Sequence, residues 1–426
     1  MKHRMVSRWG ILFASALCDF CIGASYAWSV FQKPLINMFN WSLSDASLAF
    51  TLHIIMMPIA MVIAGKLQDQ YGPRFVLMTG GLLFGAGIIA SGFTTSLGWL
   101  YLTYGVLAGL GDGTVYACAM ANTVKWFPDK KGLAGGLIAA SMGLGAVAWG
   151  PFGNVLIQSY GVLSAFRVLG IVYMVIIVCS SIFVERPSSD YKPVGWELKG
   201  QDSPALNKNG REDKTWREML TDPVFYILWL MYFLGTSCGL MIIGHVASIA
   251  QDILKLSAAT AALTVSIMAL ANTCGRIFWG YMSDQFGRYP VLIALFSLLA
   301  ITMLAMTNVG SFSSFALAVS AIVLCYGGLI GIYPSIAADM FGMKNLGLNY
   351  GILITGYSIA GFVGPRLAAA IKETEGDYAT AFLIAALFGI CGGILALAVF
   401  WQAKKRKFAS SREKSCYAGI DDADRG

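Results

Sequence analysis

Arg276 lies in an apolar stretch, 257–281, eight residues before Asp284 at the polar end of that stretch. At about 1.5 Å of helix per residue, roughly 12 Å separate the two, close to the depth of a bilayer centre. A guanidinium at that depth is costly unless it faces water or a partner. Its planar fork matches a carboxylate through two parallel hydrogen bonds. Residue type and position together point to a clamp for a carboxylate, with an ion pair between helices as the alternative.

Few other ionisable side chains share that depth. Asp19 precedes Tyr26 by seven residues and Asp112 precedes Tyr116 by four, so each pair falls on one helical face. His245 titrates near neutrality and is a third candidate for handling a proton; His53 has less to support it. Buried carboxyls take up protons more readily than exposed ones, which keeps both aspartates in play. Gly105, Gly109 and Gly113 share a side with Asp112, and such a stripe marks a helix contact. Asp112 is then equally readable as an acid paired with a neighbouring helix. Tyr26, Tyr116, Tyr326 and Tyr333 could wall a pocket, since a phenol gives an apolar surface with one hydrogen-bonding group. Tyr333 precedes Pro334 and could serve a helix kink instead.

The elements that must position these residues follow from composition. Of 426 residues, 57% are hydrophobic and 12% charged. Uncharged runs such as Phe75 to Phe93 and Val291 to Val309 are long enough to cross a hydrocarbon core, where backbone groups must bond within a helix. Twelve spans are expected, near 10–31, 45–69, 75–96, 98–123, 133–157, 163–184, 223–249, 257–281, 289–308, 312–339, 348–372 and 378–401. The first is too long for a signal peptide. This gives an all-α membrane protein with a six-helix bundle over 1–184, a central polar loop over 185–220, a second bundle over 221–402 and a basic tail over 403–426.

Of the 30 Lys and Arg residues, 24 fall on one side of that topology, which predicts cytoplasmic termini and a cytoplasmic central loop. The opposite loops hold only Lys33, Arg167, Lys255 and Lys372. Arg366 is expected to snorkel to the external interface, and Lys404 to Lys407 to anchor at anionic lipid. Cys18 and Cys21 sit within the first span and read as packing. No metal cluster, nucleophile elbow or nucleotide loop supports an enzyme, and the short polar loops leave no room for a large output domain of a receptor.

The halves repeat. Gly65, Asp69 and Gly72 recur as Gly280, Asp284 and Gly287, 215 residues on, and Gly150-Pro151 recurs as Gly364-Pro365, 214 residues on. Parallel halves with a substrate site between them at mid-membrane are one known plan for a carrier. The two loops, which also carry Arg74 and Arg288, place a carboxylate beside a glycine turn and basic residues. Such a carboxylate can cap a helix or bind arginine across the seam as a latch.

These loops, Gly65-Lys66-Leu67-Gln68-Asp69-Gln70-Tyr71-Gly72-Pro73-Arg74 and Gly280 to Arg288, resemble the repeated loop of the major facilitator superfamily, the first with Pro73 inserted. Trp126-Phe127-Pro128-Asp129-Lys130-Lys131-Gly132-Leu133, Tyr26-Ala27-Trp28, Arg276-Ile277-Phe278-Trp279-Gly280 and Asn349-Tyr350-Gly351 are similar to the oxalate/formate antiporter family, which includes lactate and pyruvate carriers. The resemblance implies two bundles of six helices with pseudo-two-fold symmetry. It places a substrate-binding arginine at Arg276 and pocket aromatics at Tyr26, Tyr116 and, of a different type, Tyr326. In the lactate-carrying relatives a histidine falls in the region of His245. Where oxalate carriers have a lysine, this chain has Tyr357. One fixed cation leaves a dianion half unpaired, so a monocarboxylate such as formate, lactate or pyruvate is expected. Proton symport is favoured, with anion exchange as the alternative and a carrier-fold carboxylate sensor as a lesser one. The expected protein is a monomer in the cell membrane, with no cofactor, metal or nucleic acid.

Overall fold

The computed structural model describes residues 7–188, 191, 193, 213–255 and 258–423. Lys2, Arg4, the 194–212 part of the central loop and the side chains of Lys404 to Lys407 lie outside the described residues. The described chain is helical throughout, without a strand.

Ten helices are long and apolar enough to cross a membrane: Arg8–Phe39, Asp45–Tyr71, Pro73–Ser91, Lys131–Tyr160, Val162–Ser181, Pro223–Val246, Arg288–Met306, Phe312–Phe341, Leu346–Glu375 and Ala379–Trp401. Two further runs complete twelve among the described residues. One, 97–126, is helical through a π-helical middle, Tyr101–Ala108. The other is Ala258–Phe286, which carries Arg276. They are named below as the first to twelfth spans in chain order.

Local chemistry sets the span ends. Ser42 and Ser96 accept the amides of Asp45 and Trp99, as N-caps do. Gly72 and Gly287 turn with φ of +89° and +90°, a conformation that penalises any side chain. Pro73 stands at the first helical position of the third span, where its missing N–H is no loss. The first span runs on to Phe39, beyond its expected end near 31, and Phe31 stacks on Phe166 at 4.8 Å. That span also tightens midway into a 3-10 turn, Gly23–Ala27.

Helices up to Ser181 pack mostly on one another, as do those from Pro223 onward. Between the two groups, the fifth span meets the eighth and tenth, and the second meets the eleventh. Arg276 lies on one of these crossing lines. A Cβ on Gly136 of the fifth span would come within 2.3 Å of the Arg276 carbonyl oxygen, so the backbones touch there.

Candidate functional site

Arg276 is 3% exposed and lies at the seam between the two groups of helices. Its Nη1 donates to the carbonyl oxygen of Ala139 on the fifth span, and its Nε reaches Asn272 Oδ1 one turn back at 3.4 Å. No ion pair among the described residues involves it. The guanidinium therefore keeps hydrogen-bonding capacity on the face it turns to the inter-helical space.

That space is a pocket lined by Arg276 with Tyr26, Tyr116, Tyr232 and Tyr357, and with Met57, Met142, Ile330 and Ile354. Both halves contribute. Tyr357 Oη lies 3.4 Å from Tyr26 Oη and 3.4 Å from Tyr326 Oη, so three phenols form a loose chain across the seam. Arg276 is among the most deeply buried side chains of this lining, at 3% exposed. Four sequence candidates (Arg276, Tyr26, Tyr116 and Tyr357) line one pocket, and Tyr326 adjoins it. Tyr232 was not singled out by sequence; it stacks at 3.9 Å on Tyr333, whose hydroxyl donates to the Leu228 carbonyl. Tyr333 is thus a support for the wall.

The acids lie elsewhere. Asp112 is bonded to His53, Nε2 to Oδ2 at 2.8 Å, and accepts the Ser25 hydroxyl on the same oxygen at 2.6 Å. His53 Nδ1 faces the Tyr104 carbonyl oxygen at 3.1 Å. Asp19 is fully buried, and neither of its oxygens has a hydrogen-bond partner among the described residues. His245 bonds back to the Met241 carbonyl of its own helix, beside Tyr378, and does not line the pocket. Arg366 is exposed and lies 3.9 Å from the ring centre of Phe362.

The repeated loops close one end of the seam. Asp284 accepts the amides of Gly132 and Leu133 at 2.9 and 2.8 Å, capping the fifth span from the other half, and takes Arg288 Nη1 at 2.7 Å. Arg288 Nε then binds Asp339 at 2.9 Å, and Asp339 binds Lys131 of the fifth span at 2.6 Å. Gly280 sits so close to Gly132 that a Cβ on it would be 2.3 Å from the Gly132 carbonyl oxygen. In the first copy, Asp69 binds Lys125 at 2.7 Å within its own half, and Arg74 binds Glu185 at 2.9 Å. The Trp126 to Leu133 segment supplies much of this closure. Its Asp129 also pairs with Arg8 at 2.7 Å, and Phe127 packs against Trp9.

Comparison with known proteins places the chain. The profile of the Major Facilitator Superfamily matches residues 9–278 and 234–415. The oxalate:formate antiporter of Oxalobacter formigenes is 32% identical over 384 residues, 89% of this chain and 88% of that protein. Monocarboxylate transporter 12 of Rattus norvegicus is 26% identical over 361 residues, 79% of this chain and 73% of that one. Among solved structures, the transporter FucP in the outward conformation superposes with a TM-score of 0.70 at 16% identity, over 90% of this chain and 97% of FucP.

Proposed function

The chain belongs to the major facilitator superfamily, and from that premise we propose that it carries a small monocarboxylate, of the formate, lactate or pyruvate class, across the cell membrane. The observation that carries this reading is Arg276, buried at the seam, without a carboxylate partner among the described residues, in a pocket whose other lining is tyrosine and aliphatic. A carboxylate entering the pocket satisfies the guanidinium, and its apolar remainder meets Met57, Met142, Ile330 and Ile354. Tyr357 stands in the same pocket as a neutral phenol, so a second carboxylate would find no second cation there.

Lys and Arg placement supports cytoplasmic termini, which makes the end held by Asp284 and Lys131 the cytoplasmic gate. The gate opens only when the Asp284 cap and the Asp339 bridge break, so access alternates between the two faces. One polypeptide supplies both halves of the pocket, so a monomer suffices for transport.

With no anion bound, a buried positive charge must cross the midpoint alone unless an acid compensates it. Proton uptake with the substrate resolves this, because an acid left ionised in the unloaded carrier balances Arg276. The lack of a direct contact between Arg276 and Asp19 or Asp112 favours a second reading, obligatory anion exchange. Uptake of labelled lactate, pyruvate and formate into liposomes with no internal anion, under an inward proton gradient, separates them. Uptake is expected in the wild type. Arg276→Ala is expected to lose more than a hundredfold in substrate affinity, from about 3 kcal/mol for a desolvated charge pair. Gradient-driven uptake that persists in Arg276→Ala would refute the clamp; no uptake without internal anion would turn the reading to exchange.

A further inference from the structure

We propose that His53 and Asp112 together hold the coupling proton, in the first half and apart from the Arg276 pocket, with the 3-10 segment Gly23–Ala27 linking the two sites. This rests on the monocarboxylate reading and names where its proton sits.

The geometry fixes the proton inventory. His53 and Asp112 side chains are 0% and 1% exposed. The carbonyl oxygen of Tyr104 can only accept, so His53 Nδ1, 3.1 Å away, must carry hydrogen. One proton then lies between Nε2 and Oδ2, across 2.8 Å, whichever atom formally bears it. With that proton the pair is neutral overall; without it, the pair is a buried anion. Ser25 donates to the same Oδ2 at 2.6 Å, which steadies the anion, while Oδ1 has no partner. Without the shared proton the lone pairs of Nε2 and Oδ2 would face each other, so the anionic state requires the two side chains to part while Ser25 keeps its bond to the carboxylate.

The charged and titratable neighbours set which state prevails. The first span brings Asp19 and Tyr26, the fourth brings Tyr104, whose ring lies 5.1 Å from His53, and the sixth brings Tyr173 near Tyr104. The third and fifth spans carry Arg74, Lys131 and Tyr160 only at their ends. Arg276 and Tyr26 line one pocket, and Ser25, next to Tyr26, donates to Asp112. An unneutralised Arg276 across the seam favours the anionic pair, because opposite charges attract strongly in a low-dielectric interior. A substrate carboxylate on Arg276 cancels that positive charge, and the pair regains its proton. The buried region keeps the same total charge when empty and deprotonated as when loaded and protonated, which is the condition for carrying both together.

A mechanical link runs along one short segment. Ser25 holds Asp112 and the next residue, Tyr26, lines the pocket. Within the same segment, a Cβ on Gly23 would lie 2.1 Å from the Met142 carbonyl oxygen, and Met142 lines the pocket too. A substrate that moves Tyr26 moves Ser25 against the proton site.

The test uses purified full-length protein as wild type, His53→Gln, Asp112→Asn and Asp19→Asn. With substrate absent, infrared difference spectra and histidine NMR across pH 5–9 should show one titration in the wild type that both His53→Gln and Asp112→Asn remove. With lactate or pyruvate, wild-type affinity should fall by about tenfold per pH unit above that titration, as one linked proton requires, and both variants should be flat. Uptake driven by a proton gradient should then collapse in both variants, while exchange of labelled for unlabelled substrate continues. If the titration and the slope survive in these variants, or vanish in Asp19→Asn instead, the proposal is overturned. If no carboxylate binds the wild type, the monocarboxylate reading fails, and the substrate-free titration still decides where the proton resides.

Discussion

Gly72 and Gly287 end their helices with nearly the same backbone, φ +89° and ψ 164° against φ +90° and ψ 161°, yet the aspartates three residues before them do different work. Asp284 reaches into the other half and caps the fifth span; Asp69 binds Lys125 in its own half. Two sequence details account for the divergence. Pro73, inserted after Gly72, moves the following arginine one position along, or about 100° around the helix. Arg74 therefore pairs with Glu185, where Arg288 grips both Asp284 and Asp339. Opposite, the eleventh span begins at Leu346, so that crossing lacks the counterpart of Lys131. What remains at the first copy is a bare backbone contact, with a Cβ on Gly65 placed 2.3 Å from Gly347. Duplication preserved the turns and the close glycine crossings, while among the described residues the charged strap is found at one crossing.

Asp284→Ala should have the largest effect at the gate. It removes two charge-assisted bonds to backbone amides at a helix N-terminus, together with the Arg288 pair, on a side chain 7% exposed. About 2 kcal/mol of closed-gate stabilisation should be lost, roughly a thirtyfold shift towards the open gate. Hydrogen–deuterium exchange of the amides near Gly132 and Leu133 should quicken accordingly. Unchanged exchange there would mean the strap does not hold the gate.

A second contrast between the halves lies at mid-membrane. The first half holds the acids and His53, and the second holds Arg276 with Tyr232, Tyr326 and Tyr357. Adding a cation to the second half sharpens that partition. Tyr357→Lys should improve competition by oxalate, relative to formate, by about tenfold, equivalent to roughly 1.4 kcal/mol for partly pairing the second carboxylate. Competition against a labelled monocarboxylate in liposomes reads this ratio, and a ratio that stays put would argue that Tyr357 does not face the bound acid.

The legible and illegible parts of this molecule differ in a physical way. Arg276 stood out because a charge inside a long apolar run is anomalous within its own helix. Span number and the repeated loops are likewise local patterns. The His53–Asp112 pair depends on which helices are neighbours, which one span's sequence does not state. The Gly105, Gly109 and Gly113 stripe did carry the clue: a Cβ on Gly109 would lie 2.8 Å from the His53 carbonyl oxygen. Reading the stripe as a contact was sound, but its partner helix had no name. His245 shows the converse, since a histidine in a span is conspicuous yet bonds its own helix. Lys131 and Asp339 were missed as a bridge because they come from the fifth and tenth spans, 208 residues apart.

Asp69→Asn tests the quiet side of the comparison and should have the smallest effect at the gate. The asparagine fits the same space and can still accept one bond from Lys125. Removing the charge leaves the Lys125 ammonium, 8% exposed, without its counter-ion, so the first half should lose thermal stability. None of that loss is specific to the closed gate, because Lys125 and Asp69 belong to one half and move together. Exchange near Gly132 and the rate of substrate uptake should stay within about twofold of wild type, less than 0.5 kcal/mol. A large change at Gly132 in Asp69→Asn would show that the two crossings open as one unit, and that the asymmetry of the contacts is not an asymmetry of the gate.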